Sequence, residues 1–226
     1  MDRIISLAIG YLTGCFLTAE MVARLSTGRS IREIGTGNPG MANVMANIGK
    51  KEGSLVLLGD ILKTILGMAV SYALFGAAIG WLALLWGGFG SILGHNFPFW
   101  AKGKGGKGVT VTCTWLIILM PVWGSLSCIL GGILTLVTGY LPLGAVLIPL
   151  FALPFAAWKL GREGLILILI GELVMLSRHY RGIGRILRGQ EEKKFRKSAT
   201  SLTSSGRWIR LVLTIFDSTG DTENEQ

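Results

Sequence analysis

Hydrophobic positions in this chain run in long blocks instead of alternating with polar ones. Seven apolar segments can be marked: Ile4–Leu25, Ser54–Leu74, Gly76–Leu93, Val109–Met120, Val122–Thr138, Pro142–Trp158 and Gly164–Ser177. A straight helix needs roughly 20 apolar residues to cross the hydrocarbon of a bilayer. The first three segments are long enough, whereas Val109–Met120 is too short to span alone. Pro121 ends or kinks a helix, so the fourth and fifth segments read as one kinked span or as two short, tilted helices. The pattern predicts an all-α, polytopic membrane protein with roughly seven transmembrane helices, five being the alternative.

Cationic residues orient these spans. Arg24, Arg29, Arg32, Lys50 and Lys51 lie between the first two; Lys102, Lys104 and Lys107 follow the third; a basic run from Arg178 to Arg210 follows the last. By the positive-inside rule all three stretches belong in the cytoplasm. The N-terminus is then outside, the C-terminus cytoplasmic and the number of crossings odd. Lys159 and Arg162 fit less well, because seven spans leave them outside.

Composition agrees with this reading. Half of the 226 residues are apolar and 15% are charged, against about 25% in soluble domains, and mean hydropathy is +0.56. The net charge of +9 is mainly a topology signal and an anchor against anionic lipid headgroups. Nucleic acid is not an expected partner, since the basic stretches lack aromatic interleaving or a binding module. Cys15, Cys113 and Cys128 lie in apolar segments without metal-ligand spacing and read as packing residues. Leu12-Thr13-Gly14-Cys15 resembles a lipoprotein cleavage box, but the nearly neutral residues before it and the apolar run after it argue against processing.

Many of the 33 glycines fall inside the apolar segments, where close helix packing explains them. Others gather in polar loops. The first loop runs from Arg29 through Gly35-Thr36-Gly37-Asn38-Pro39-Gly40 to Asn43. Its glycines are expected to fold the backbone into a nest of N–H groups for an anion, with Arg29 or Arg32 neutralising the charge. The second loop, Gly94–Gly108, contains His95 at the membrane edge and then Lys102-Gly103-Lys104-Gly105-Gly106-Lys107-Gly108. Glycine alternating with lysine suits phosphate, although the Ser or Thr of a Walker loop is missing. Phe97, Phe99 and Trp100 read as an interfacial aromatic belt. The third stretch, Arg178–Glu191, is a juxtamembrane basic helix expected to touch lipid. Asp60 and Lys63, one turn apart inside the second segment, are a costly pair in a membrane: self-neutralising and structural, or functional.

Taken as a set, these residues resemble a known family. Gly35-Thr36-Gly37-Asn38-Pro39-Gly40-Met41-Ala42-Asn43-Val44 is similar to the motif G-S-G-N-x-G-A-T-N-V. Asp60-Ile61-Leu62-Lys63, and Gly94-His95-Asn96-Phe97-Pro98 through Gly105-Gly106-Lys107-Gly108-Val109, follow its next elements. His179, Ile183, Arg185, Leu187, Gly189 and Glu191 keep the spacing of H-x-x-N-I-x-R-L-x-x-G-x-E. The family is the acyl-phosphate-dependent glycerol-3-phosphate acyltransferases of the PlsY type, and the resemblance covers residues 4–191. It implies transfer of a fatty acyl group from acyl phosphate to the 1-hydroxyl of sn-glycerol 3-phosphate, in the bacterial cell membrane with the site on the cytoplasmic face. It also implies no metal or other cofactor. Thr36, His95, Lys107 and His179 become the catalytic candidates. Arg32, Gly35, Gly37, Asn38, Asn43, Lys104, Gly105, Gly106, Gly108, Arg185 and Glu191 become the substrate-binding ones. Either His95 or His179 is available for proton transfer.

Several positions depart from the family pattern. Its serine is Thr36, its next threonine is Ala42, an arginine is Ala46, an asparagine is Gly182, and a serine-rich element aligns with Leu141-Pro142-Leu143-Gly144. The alternative reading is therefore a family-fold protein repurposed to bind a lipid, a phosphorylated ligand or a partner protein. Transport is disfavoured, because Asp60, Lys63 and Glu172 are nearly the whole of the intramembrane charge. Two parts are expected: a membrane domain over 1–191, and a cytoplasmic tail over 192–226 with an interfacial segment Trp208–Phe216 and an acidic end.

Overall fold

A computed structural model describes residues 1–191 and Lys193. Apart from Lys193, the expected tail lies outside the described residues. Among them the regular elements are all helical: α1 (Asp2–Gly14), α2 (Thr18–Thr27), α3 (Met41–Asn47), α4 (Lys50–Ile79), α5 (Leu82–Asn96), α6 (Val109–Leu119), α7 (Pro121–Thr138), α8 (Leu141–Lys159) and α9 (Gly161–Leu187), with 3-10 turns at Ile31–Glu33 and Phe99–Ala101. By length and composition, four stretches here suffice to cross a membrane: α1 with α2, then α4, α7 and α8.

Two boundaries differ from the sequence expectation, and one open alternative is decided. Ile4–Leu25 is not one helix; it breaks between Gly14 and Thr18. The break strands two carbonyls, and both find distant partners. Trp100 Nε1 donates to Cys15 O at 2.8 Å, and Lys63 Nζ donates to Phe16 O at 2.7 Å. The turn between the second and third segments falls later than expected, where Gly80 adopts φ +58° and α4 gives way to Trp81. Of the two readings of Pro121, separate helices are formed: it occupies the first turn of α7, where its missing N–H costs nothing.

One apolar core joins α4, α5, α6, α8 and α9 through Met68, Leu85, Phe89, Trp115, Ile148 and Ile168. A second lies under the first loop, where Ala19, Val22 and Ala23 of α2 meet Ile31, Ile34, Val44 and Val56. The outer surface is apolar as well: Leu58 and Leu62 on α4, Ile133 and Val137 on α7, and Leu173 on α9 are all exposed. Such an exterior suits hydrocarbon and not water.

Helices α1 and α5 approach backbone to backbone. A β-carbon on Gly10 would overlap Gly87 O, one on Gly90 would overlap Leu7 O, and one on Gly94 would overlap Tyr11 O. Small residues at one-turn intervals allow this contact, and it gains dispersion energy where no hydrophobic effect operates between helices. The crossing also fixes the end of α5, from which the second loop departs. Gly94→Val should lower the thermal unfolding midpoint in detergent, by the equivalent of about 1–3 kcal/mol. Gly132→Ala on α7, with nothing within 4 Å of the added carbon, should leave the midpoint unchanged or raised.

Candidate active site

The first loop hangs from α2 by one carboxylate. Glu20 Oε2 accepts from Ser30 Oγ (3.0 Å) and from Ile31 N (3.1 Å). Beyond that, Asn43 organises the turn. Its Nδ2 donates to Ile34 O at 2.9 Å, while its Oδ1 accepts from Thr36 N at 2.9 Å and from Asn47 Nδ2 at 3.0 Å. Gly35 (φ +54°) has no room for a side chain against Asn43 and Asn47. The expected open nest is not formed here. Thr36 N is held by Asn43, Gly37 N by Ile34 O, Asn38 N by Thr36 Oγ1 and Gly40 N by Asn38 O. Asn43 is spent on holding the loop, and what the loop presents outward is the exposed Thr36 and Arg32.

The second loop likewise uses its glycine amides internally. Gly105 N donates to Asn96 O (3.1 Å) and Gly106 N to His95 O (3.0 Å), capping carbonyls that the end of α5 leaves unpaired. The carbonyls of the same two glycines accept from Arg178 of α9, whose Nη2 is 2.9 Å from Gly105 O and whose Nε is 3.2 Å from Gly106 O. The Gly105–Gly106 strip is therefore held from both sides. No side chain fits at Gly106, because it would overlap His95 Nε2 and come 2.9 Å from Pro39 O. Gly108 (φ +79°) starts α6 against the Asn96 amide, which is fully buried and without a partner.

These contacts bring parts of all three stretches to one point. Arg32 Nη2 donates to Lys104 O across the first two loops. Lys107, half-buried beside Gly106, acts together with Arg178 on the electrostatics of the His179 ring. His179 is buried in α9; its Nδ1 lies 3.0 Å from Met175 O, and its Nε2 has no partner. A carbonyl can only accept, so Nδ1 carries the proton and Nε2 offers a lone pair. His95 is buried too, with Nδ1 2.8 Å from Lys63 Nζ. Arg185 and Glu191 pair with each other near the surface, one turn or more beyond His179. The cluster thus offers concentrated positive charge, a buried proton acceptor and a rigid glycine strip, which suits a phosphate-bearing ligand and a proton transfer.

Two groups went unassigned by the sequence. Arg178 orders the strip, and its only signal was a cation at the membrane edge directly before His179. Lys63 was visible as an intramembrane charge, but its contact with His95 was not. The departures also find explanations. Ala46 is exposed on α3, so no buried partner is lost there. A β-carbon on Gly182 would lie 2.7 Å from Pro142 Cγ, so the proline ring fills the space that a side chain at 182 would need.

A family model described as glycerol-3-phosphate acyltransferase matches residues 4–189. Glycerol-3-phosphate acyltransferase 1 of Lactobacillus johnsonii is 33% identical over 85% of this chain and 93% of its own length. The glycerol-3-phosphate acyltransferase of Salmonella paratyphi B is 35% identical over 83% and 90%. Among solved structures, the integral membrane glycerol 3-phosphate acyltransferase PlsY (YgiH) in its glycerol 3-phosphate form superposes with a TM-score of 0.75. It is 28% identical, over 85% of this chain and 96% of that one. Its lysophosphatidic acid form gives 0.74 at 27% identity.

Gly182→Asn should cost about 1–3 kcal/mol by overpacking against Pro142. Pro142→Ala, which removes Cγ, should recover part of that loss. Thermal unfolding of both single variants and the double variant checks this as a coupling energy.

Proposed function

The chain belongs to the glycerol-3-phosphate acyltransferase family, and from that membership we propose how its three loop stretches carry out the reaction. The protein is an integral membrane enzyme of phospholipid synthesis. It moves a fatty acyl group from acyl phosphate to the 1-hydroxyl of sn-glycerol 3-phosphate and releases lysophosphatidic acid and phosphate. In our reading the two phosphates meet over Gly105-Gly106-Lys107, with the acyl chain lying among the helices. Lys107, Lys104 and Arg32 neutralise the phosphates; Gly35, Gly37 and Asn38 frame the entrance, and the Thr36 hydroxyl is a further donor. Gly108 lets α6 start close to the ligand, and the Arg185–Glu191 pair fixes the end of α9. The site faces the cytoplasm of a bacterial cell, with the N-terminus outside, as the cationic stretches require.

The glycerol 1-oxygen attacks the acyl carbonyl carbon. An ester C–O bond forms, and the bond from that carbon to the phosphate oxygen breaks with the electron pair leaving on phosphate. The hydroxyl proton passes to His179 Nε2, which returns it to solvent or to the departing phosphate. Acyl phosphate is already activated, so positioning and charge stabilisation supply most of the rate. The observation that carries this reading is the convergence at Gly106 of His95, Pro39 and Arg178, next to Lys107.

Purified protein given acyl phosphate and labelled glycerol 3-phosphate should produce lysophosphatidic acid. Lys107→Ala should lower kcat/KM by about 100-fold or more, and His179→Gln should lower kcat by about 100-fold. No product, under conditions where a relative such as the Lactobacillus johnsonii enzyme turns over, would overturn the assignment.

A further inference from the structure

Lys63, buried in α4, draws its partners from three separate elements. An ammonium has three N–H donors and no acceptor. Lys63 Nζ has three neighbours: Phe16 O at 2.7 Å, Asp60 Oδ1 at 2.8 Å and His95 Nδ1 at 2.8 Å. The carbonyl and the carboxylate can only accept, so each takes one N–H. Asp60 is buried and receives one further hydrogen bond, from Thr18 Oγ1 at 3.3 Å. A buried carboxylate needs a paired cation, so Lys63 holds all three protons. The third then points at His95 Nδ1, which lies 2.8 Å from Lys63 Nζ but 3.7 Å from Asp60 Oδ1, beyond hydrogen-bond reach, and is therefore the unprotonated nitrogen of a neutral ring.

We propose that Lys63 is a positioning residue that fixes His95 as the Nε2–H tautomer and turns that N–H toward the Gly105–Gly106 strip. The ring edge opposite Lys63 abuts Gly106 and has no space for a side chain between. His95 is consequently a hydrogen-bond donor to a ligand oxygen and not a proton acceptor. His179 has the reverse arrangement, with Nδ1 donating to Met175 O and Nε2 bare. The two histidines, equivalent in the sequence, thereby take opposite tasks. This deepens the proposed function and relies on it for the identity of the ligand, but the tautomer itself does not depend on turnover.

The chain has two histidines, so histidine-15N NMR of the full chain in detergent, without a histidine tag, resolves the question. Loss of one set of signals in His95→Gln assigns the rest. Expected is one neutral ring of each tautomer, with His95 protonated at Nε2 and His179 at Nδ1. In the charge-neutral double variant Asp60→Asn/Lys63→Met, His95 should become a mixture of tautomers. Its kcat should fall on the order of 100-fold, while KM for glycerol 3-phosphate changes little. A His95 ring protonated at Nδ1, or at both nitrogens, in the wild-type protein overturns the proposal. So does a double variant that keeps both the Nε2–H tautomer and the wild-type kcat. Should the double variant fail to fold, the wild-type spectrum alone decides. A wild-type protein that shows the expected tautomers but makes no lysophosphatidic acid would count against the proposed function and leave the Lys63 assignment standing.

Discussion

Charge carried into the apolar part of a membrane fold must bring its own solvation, and Asp60 with Lys63 shows how far that requirement reaches. The pair neutralises itself at 2.8 Å within one turn of α4. Neutrality alone does not satisfy an ammonium, however, which needs acceptors for all its protons. One acceptor is the carbonyl that becomes available only because α1 stops at Gly14 and α2 begins at Thr18. Another is the ring of His95 at the end of α5. A single buried amine therefore ties together the break in the first span, the middle of α4 and the edge of the site. Removing it would leave a buried carboxylate with only the Thr18 hydroxyl and no cation, and a carbonyl and an imidazole nitrogen without this donor, at a cost above that of the bonds lost.

Glycine plays a part in the loops different from the one its chemistry first indicates. In Gly105-Gly106 the amides cap α5, and the carbonyls, which would repel an anion, are covered by Arg178. The strip has lost its donors to the helix and its negative ends to a guanidinium. What remains toward a ligand is the charge of neighbouring side chains on a backbone pinned by hydrogen bonds from both sides. In the first loop too, the glycine-rich turn closes on itself through Asn43. Both loops are rigid mounts for side chains, and preorganisation of this kind lets fixed charge act without reorganisation during the reaction.

Much of this was legible in the chain. The helices followed from the length of the apolar blocks, and the loops from the punctuation of glycine, proline and lysine between them. The family resemblance rested on motif spacing and extended over nearly the residues that the family model matches. What escaped depends on contacts between residues far apart in sequence. Nothing within Ile4–Leu25 marks a break, because the reason for it sits on Lys63. Nothing around His95 identifies the amine against its ring. The expected anion nest failed for a related reason, since the composition of a turn indicates which N–H groups are free to rotate but not which have been taken.

The departures from the family pattern, read singly, look like losses; read in space, two of them are one change. Gly182 lacks a side chain, and Pro142 fills the place where one would begin. A larger residue at 182 alone would clash with the proline ring, and a smaller one at 142 alone would leave a cavity, so the two positions are coupled. The wall they form is apolar and lies on α9 one turn beyond His179. On that side the nearest polar group is the Arg185 guanidinium, with Nη2 3.9 Å from where a β-carbon of residue 182 would stand, so in the proposed site cations, Lys107 and Arg32 among them, carry more of the binding. A site built this way trades directional hydrogen bonds for charge, and its hold on a phosphate should depend on ionic strength more steeply than that of a site with both.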